Sequence, residues 1–106
     1  MWYVSGNNLQ MTEGDYGLAL PVTVNGTTFS AGDEVLFTFK DAVNGTTILT
    51  KTYSNIQANT VSLELTAEES AKFPVGQYVY SLDWYQSGAF MCNIIPSATL
   101  KVVDKA

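Results

Sequence analysis

The chain predicts an all-β domain: an antiparallel two-sheet β-sandwich of seven or eight strands, with one short helix between two of them. Three observations predict it. Apolar and polar residues alternate in one short run after another, the period-two signature of half-buried strands. The runs recur at roughly ten-residue spacing, separated by Gly, Asn and Asp turns. The composition is rich in Thr, Val and aromatics, which suit strands better than helices. With 46% hydrophobic and only 14% charged residues in 106, the chain is globular and has room for one core, so residues 1–106 are expected to form a single domain.

Leu9 to Thr12 reads as the first clear extended segment, broken by Glu13-Gly14-Asp15, where Gly14 permits a turn. Leu18, Leu20, Val22 and Val24 then share one face of a strand, and Pro21, lacking an N–H, marks an edge or a bulge. Asn25-Gly26 is a strong hairpin dipeptide. Glu34 to Lys40 follows, with Val35, Phe37 and Phe39 as its inner row and Leu36 half covered on the other face. Asn44-Gly45 turns the chain into Ile48–Tyr53, where Leu49 and Tyr53 oppose Thr50 and Thr52. Residues 55–59 connect to Thr60–Leu65, with Val61, Leu63 and Leu65 inward.

Thr66 is a good N-cap, and Glu69 three residues on completes a capping box. Glu68 and Glu69 also suit the positive end of a helix. Pro74 stops this turn and Gly76 redirects the chain. So short a helix is unstable alone, so packing must hold it, with Ala71 and Phe73 the expected contacts. In the next strand, Gln77 to Tyr85, the residues Tyr78, Tyr80, Leu82 and Trp84 face one way and Tyr85 the other. Tyr78 is placed like a tyrosine corner, its hydroxyl bonding back to preceding backbone. Gln86-Ser87-Gly88 is a hairpin turn. Phe90 to Ile95 is apolar on both faces and ends at Pro96, so it reads either as an inner strand covered by another subunit or as a locally folded hairpin partner. Ala98 to Val103 closes the sandwich. A small closed barrel is the competing architecture.

The residues that carry chemistry are sparse. Histidine is absent, which removes His-based triads and imidazole acid–base catalysis. A single cysteine, Cys92, allows neither an intrachain disulfide nor a thiolate zinc site; in its apolar run it reads as a small buried hydrophobe. Glu13 with Asp15, and Asp33 with Glu34, are the only close carboxylates outside the helix start, and they lack the ligand series of a calcium loop. No catalytic, cofactor-binding or metal site is therefore expected, and the chain is read as not an enzyme. The net charge of −5, the absence of arginine and the dispersed lysines Lys40, Lys51, Lys72, Lys101 and Lys105 disfavour nucleic acid. No apolar run approaches the ~20 residues of a membrane span. The opening residues lack a basic region and a long apolar core, so cytoplasmic synthesis without a signal peptide is expected.

Aromatics make up 12% of the chain. Trp84 and Tyr85 point to opposite faces and cannot form one platform, and Trp84 reads as core. Trp2, Tyr3 and Tyr85 are the candidates for an interface, together with any uncovered sheet edge. A protein partner or self-association is the leading expectation, and a carbohydrate-binding or adhesion module is the alternative.

The order of motifs resembles the N-terminal immunoglobulin-like domain of phage baseplate upper proteins and their small prophage relatives in Gram-positive bacteria. The matching residues are Leu9-Gln10-Met11-Thr12-Glu13-Gly14-Asp15, then Ala31-Gly32-Asp33-Glu34-Val35-Leu36-Phe37-Thr38-Phe39. The strongest are Leu63-Glu64-Leu65-Thr66-Ala67-Glu68-Glu69-Ser70 with Pro74-Val75-Gly76-Gln77-Tyr78-Val79-Tyr80-Ser81-Leu82, followed by Ser87-Gly88 and Thr99–Val103. The family tends to have Thr at the position of Ser70 and Asp near Ser81. The resemblance implies an immunoglobulin-like sandwich, a non-enzymatic structural role in a tail or baseplate, protein contacts and virion association. The chain is expected to be a free-standing module without the receptor-binding extension of the longer proteins, so their host or glycan recognition is not expected of it.

Overall fold

A computed structural model of the chain describes residues 2–26, 28–54, 56 and 59–104. Strands take 59% of the described residues and helix 4%, so the fold is all-β. The strands are β1 (Tyr3–Ser5), β2 (Asn8–Thr12), β3 (Leu20–Thr23), β4 (Asp33–Lys40), β5 (Thr47–Ser54), β6 (Thr60–Leu63), β7 (Gly76–Gln86) and β8 (Ala89–Val103). A single helical turn, α1 (Ala67–Ser70), precedes β7. Six strands form one sheet in the order β1-β2-β8-β7-β4-β5, and β3 pairs with β6 in a second.

Both sheets feed one core. Val35, Phe37 and Phe39 of β4 are fully buried, as are Leu82 and Leu100 beside them and Leu63 of the second sheet. The aromatic residues meet in a chain of contacts. Phe39 lies 5.8 Å from Tyr80 and 5.5 Å from Phe73, and Phe37 meets Tyr53 edge-on at 5.9 Å. Edge-to-face and offset contacts of this kind add roughly 0.5–1.5 kcal/mol each beyond area burial.

The unit at residues 66–80 forms as its sequence implies. Thr66 Oγ1 accepts the Glu69 N–H at 3.1 Å and Glu69 Oε1 accepts the Thr66 N–H at 2.9 Å, a complete capping box. The Tyr78 hydroxyl donates to the Pro74 carbonyl at 2.6 Å. Phe73 is fully buried, edge-on to Tyr78 at 5.2 Å. Ala71, the other expected contact, is exposed, and Ser70 is buried in its place. One helical turn presents only one narrow stripe to the core, and that stripe runs through Ser70 and Phe73.

Four other expectations need correction. The large sheet is mixed, not antiparallel, because β2 runs parallel to β8 in the register Leu9↔Leu100 to Thr12↔Val103. The direction follows from the route of the chain. Gly17 donates to the Leu65 carbonyl, so β2 must run toward the end of the molecule where β6 finishes and antiparallel β3 begins. Second, Asn25-Gly26 is a turn but not a hairpin, since β3 pairs with β6 and the chain then crosses to β4. Third, β3 starts only at Leu20; Leu18 lies outside it and is exposed. Fourth, 90–95 and 98–103 are one strand. Between the pairs Gly76↔Val102 and Gln86↔Ala89, β7 advances ten residues and β8 thirteen, with three register shifts. The extra residues are bulges, and Pro96 falls in one of these irregular stretches, where no ladder N–H is required. Part of the 55–59 connection lies outside the described residues.

The 66–80 unit is testable in two ways. Tyr78→Phe, which deletes only the bond to Pro74, lowers stability in urea by about 1 kcal/mol. Burial pushes the Glu69 carboxyl up, but its hydrogen bonds with Lys51 and the Thr66 N–H outweigh that and hold it below the ordinary value. Its contribution is thus present above the ordinary carboxylate pKa and lost as pH falls through the lowered one. In Glu69→Gln, the fall of the urea midpoint on acidification is shallower than in the parent chain.

Candidate interaction surface

The two lateral sides of the molecule differ. On the β5–β6 side a clasp closes the gap between the sheets. Lys51 of β5 pairs with Phe37 in register and so points inward with Leu49 and Tyr53. Its ammonium donates to the Glu64 carbonyl and to Glu69 Oε1, the latter at 2.8 Å. Tyr53 Oη accepts the Glu64 N–H at 3.2 Å. Both backbone groups of Glu64 are thereby satisfied by side chains of the opposite sheet. Burial pulls the Lys51 pKa down, but its contacts with Glu69 and Tyr53 prevail and hold it above the ordinary value. Sequence alternation had assigned only Leu49 and Tyr53 to this face; Lys51 was legible from the same period, but its charge masked it.

The β3–β8 side is open. A groove of about 170 Å³ there is lined mainly by Val4, Leu9, Leu20, Val22, Tyr80 and Ile95. β2 flanks β8 only along Leu100–Val103. The Thr99 N–H beyond it is taken by the Asn8 side chain at 3.1 Å. Residues 89–98 of β8 therefore have a strand neighbour only in β7 among the described residues. That stretch carries no charge. Phe90, Met91 and Cys92 in it are exposed.

An uncovered edge invites strand addition, but the edges here carry devices against it. Val24 N–H donates to Asn59 across the β3–β6 pair. Alternation along the strand then turns the backbone of Pro21 and Thr23 outward, so Pro21 removes a donor from the free edge of β3. β5 carries the inward Lys51. β1, β3 and β6 have three or four residues each. The free stretch of β8 is bulged and contains Pro96. Contact through side chains is thereby favoured over contact through backbone.

The three interface candidates are not brought together. Trp2 is half-buried among Met11, Leu18 and Leu65, and its indole Nε1 donates to the Leu18 carbonyl at 2.8 Å. Tyr3 is 60% exposed and borders a hollow with Asn8, Gln10, Thr99 and Lys101. Tyr85 lies on the same outer sheet face but near the opposite end of β7 from Gln77, which shares a cross-strand row with Lys101, Gln10 and Tyr3. There it stacks edge-on with Phe90 at 5.7 Å, beside a shallow cleft formed with Glu34, Leu36 and Thr52. Phe90 was missed as its partner because the bulge at Met91 rephases β8, putting Phe90 opposite Tyr85 and Cys92 opposite Trp84.

Cys92 is exposed, contrary to the expectation of burial. It shares the inner row with Trp84, but the second sheet has only two short strands and does not extend over that end of β8. Trp84 itself is half-buried and meets Phe29 edge-on at 5.4 Å. Asp33 is buried and accepts the Ser30 N–H at 2.8 Å, a turn-closing role, while Glu34 sits on the outer face. Glu13 accepts the Val75 N–H at 3.3 Å. Among the described residues no three His, Cys, Asp or Glu side chains converge as metal ligands, and no helix is long and apolar enough to cross a membrane. Comparison of the chain with protein-family models, with curated proteins and with solved structures gave no match.

Exposure separates the two ends of the aromatic inventory in energy. Phe90→Ser costs about 1 kcal/mol, mostly its edge-on contact with Tyr85, whereas Phe37→Ala costs about 3–5 kcal/mol. The Cys92 thiol reacts fully with a disulfide reagent in the absence of denaturant.

Proposed function

We propose that the chain is a non-enzymatic structural or protein-interaction module with an immunoglobulin-like β-sandwich, associated with a phage or prophage tail or baseplate. The observation that carries the interaction reading is the Tyr85–Phe90 pair with its flanking apolar residues. These aromatics are directed outward on the face of the sheet formed by β4, β7 and β8, beside the uncharged and one-sided stretch of β8. Large apolar side chains held outward on a sheet face are the anchors that protein interfaces use. The immunoglobulin-like assignment is supported by three features: the parallel β2–β8 pair, the β3–β6 pair opposite the β4–β7–β8 sheet, and the tyrosine corner at Tyr78. The tail assignment rests on the resemblance of the 9–15, 31–39 and 63–82 segments. Virion association follows from it.

The carbohydrate-binding alternative has one observation in its favour, the exposed Tyr3 ring beside the polar side chains of Asn8, Gln10, Thr99 and Lys101. A glycan stacked there would change the fluorescence of neighbouring Trp2.

Sedimentation with tail particles isolated from cells that carry the gene distinguishes the readings. The purified chain pellets with the particles, and Tyr85→Ala with Phe90→Ser weakens that association at least tenfold without changing the circular dichroism. A chain that stays in the supernatant, or double-variant binding equal to that of the parent, overturns the proposal.

A further inference from the structure

The N-terminal hairpin is anchored by the Trp2 side chain and turned at one glycine. All three residues of β1 are exposed, and among the described residues the strand pairs only with β2. Its anchor is Trp2, seated among Met11, Leu18 and Leu65 and bonded to the Leu18 carbonyl. Its hinge is Gly6, at φ +60°, a left-handed conformation that an L side chain adopts only under strain. Immediately beyond, the Tyr80 hydroxyl donates to the Asn7 carbonyl and the Asn8 side chain caps Thr99. The body side of the hinge is thus fixed by side chains of the large sheet, while the arm side is held by its ladder with β2 and by the Trp2 indole.

We propose that this arm is exchangeable, and that the partner it fits is a second copy of this chain. In the exchanged dimer Gly6 switches to an extended conformation, which glycine adopts about as readily, and residues 2–5 of each copy pair with β2 of the other. Each Trp2 then fills the other copy's pocket. Every interaction broken within one copy re-forms between the two, so the occupant and its site match by construction. Six residues, 2–7, reach at most roughly 20 Å when extended, which confines the two β2 strands to close approach around a two-fold axis. Continuing the parallel register of Leu9↔Leu100 carries straightened residues 5–7 alongside 96–98 of β8, where no described strand sits. Neither the arm through Leu9 nor residues 89–98 contains a charged residue. Two molecules of net charge −5 therefore meet there without placing like charges in contact. The inference deepens the self-association reading above by naming the segment and the partner.

Register supplies a direct test. Tyr3 and Gln10 are opposite each other across β1 and β2, at a separation a disulfide spans. In Cys92→Ser chains carrying Tyr3→Cys and Gln10→Cys, oxidation in dilute solution closes the bond within one chain, and a circular dichroism spectrum equal to the parent's shows that the variant folds. At high concentration the same oxidation gives a covalent dimer on a denaturing gel, in a fraction that rises with concentration. Gly6→Ala removes the preference for the closed hinge by roughly fivefold per arm, and so raises the association constant roughly 25-fold for two arms. Trp2→Ala, in chains without the engineered cysteines, removes the same contact from the closed chain and from the exchanged dimer, so it leaves the association constant nearly unchanged and speeds the exchange; a rate of exchange equal to the parent's would count against the indole as the anchor. Intrachain bonds alone at every concentration, Gly6→Ala included, would overturn the exchange. So would a dimer whose 3–10 bonds stay intrachain. A chain that keeps its own arm and still pellets with tail particles through Tyr85 and Phe90 would refute the exchange and leave the module reading standing.

Discussion

Everything in this molecule is referred to the inner row of β4. Val35, Phe37 and Phe39 are fully buried, and β4 lies between β7 and β5 in the large sheet. Its side chains are the ones that the second sheet, the helical turn and β7 all pack against. A two-strand sheet of short strands is not stable by itself. β3 and β6 hold their places only because Val61 and Leu63 cover that row. The capped turn at Thr66 likewise persists because Phe73 inserts against Phe39, and the corner at Tyr78 fixes where β7 starts. Removing the row leaves each of these elements without its main buried partner.

From that centre the structure weakens in one direction. The β5–β6 side is sealed by Lys51 and Tyr53 acting on the two backbone groups of Glu64, while the β3–β8 side keeps an open groove of mixed polarity. The long strand β8 spans this gradient. Its C-terminal half is clamped between β2 and β7, and its N-terminal half is bulged, flanked by β7 alone and bordered by exposed Phe90 and Met91. β1 hangs beyond the groove on the Trp2 indole. Surfaces available for contact therefore lie where the core's reach ends, and they are made of side chains because the strand edges nearby are short, bulged or proline-bearing.

Much of the fold was legible because its determinants are local. Alternation placed Val35, Phe37 and Phe39, and Val61, Leu63 and Leu65, on the inner faces. Thr66 and Glu69 announced the cap, and Tyr78 announced its own hydrogen bond. What could not be read was set by partners distant in sequence. The parallel β2–β8 pair depends on where β3 must begin, and the Asn25-Gly26 turn lacks its hairpin because β6 competes for β3. The three bulges in β8 break the period that sequence reading relies on, so Phe90–Ile95 looked two-faced and Cys92 looked buried. The site suffered most for the same reason: alternation put Tyr85 on the outer face, but its separation from Tyr3 along the sheet and its pairing with Phe90 depend on register.

Native-state hydrogen exchange resolved by residue tests this gradient most directly. Amides of β4 and of β7 from Tyr78 to Leu82 should exchange only through global unfolding, with an opening free energy equal to that from denaturant titration. Amides of β1 and of residues 89–95 should exchange through local opening that is independent of denaturant at low concentration. Protection of residues 89–95 equal to that of β4 would contradict the account.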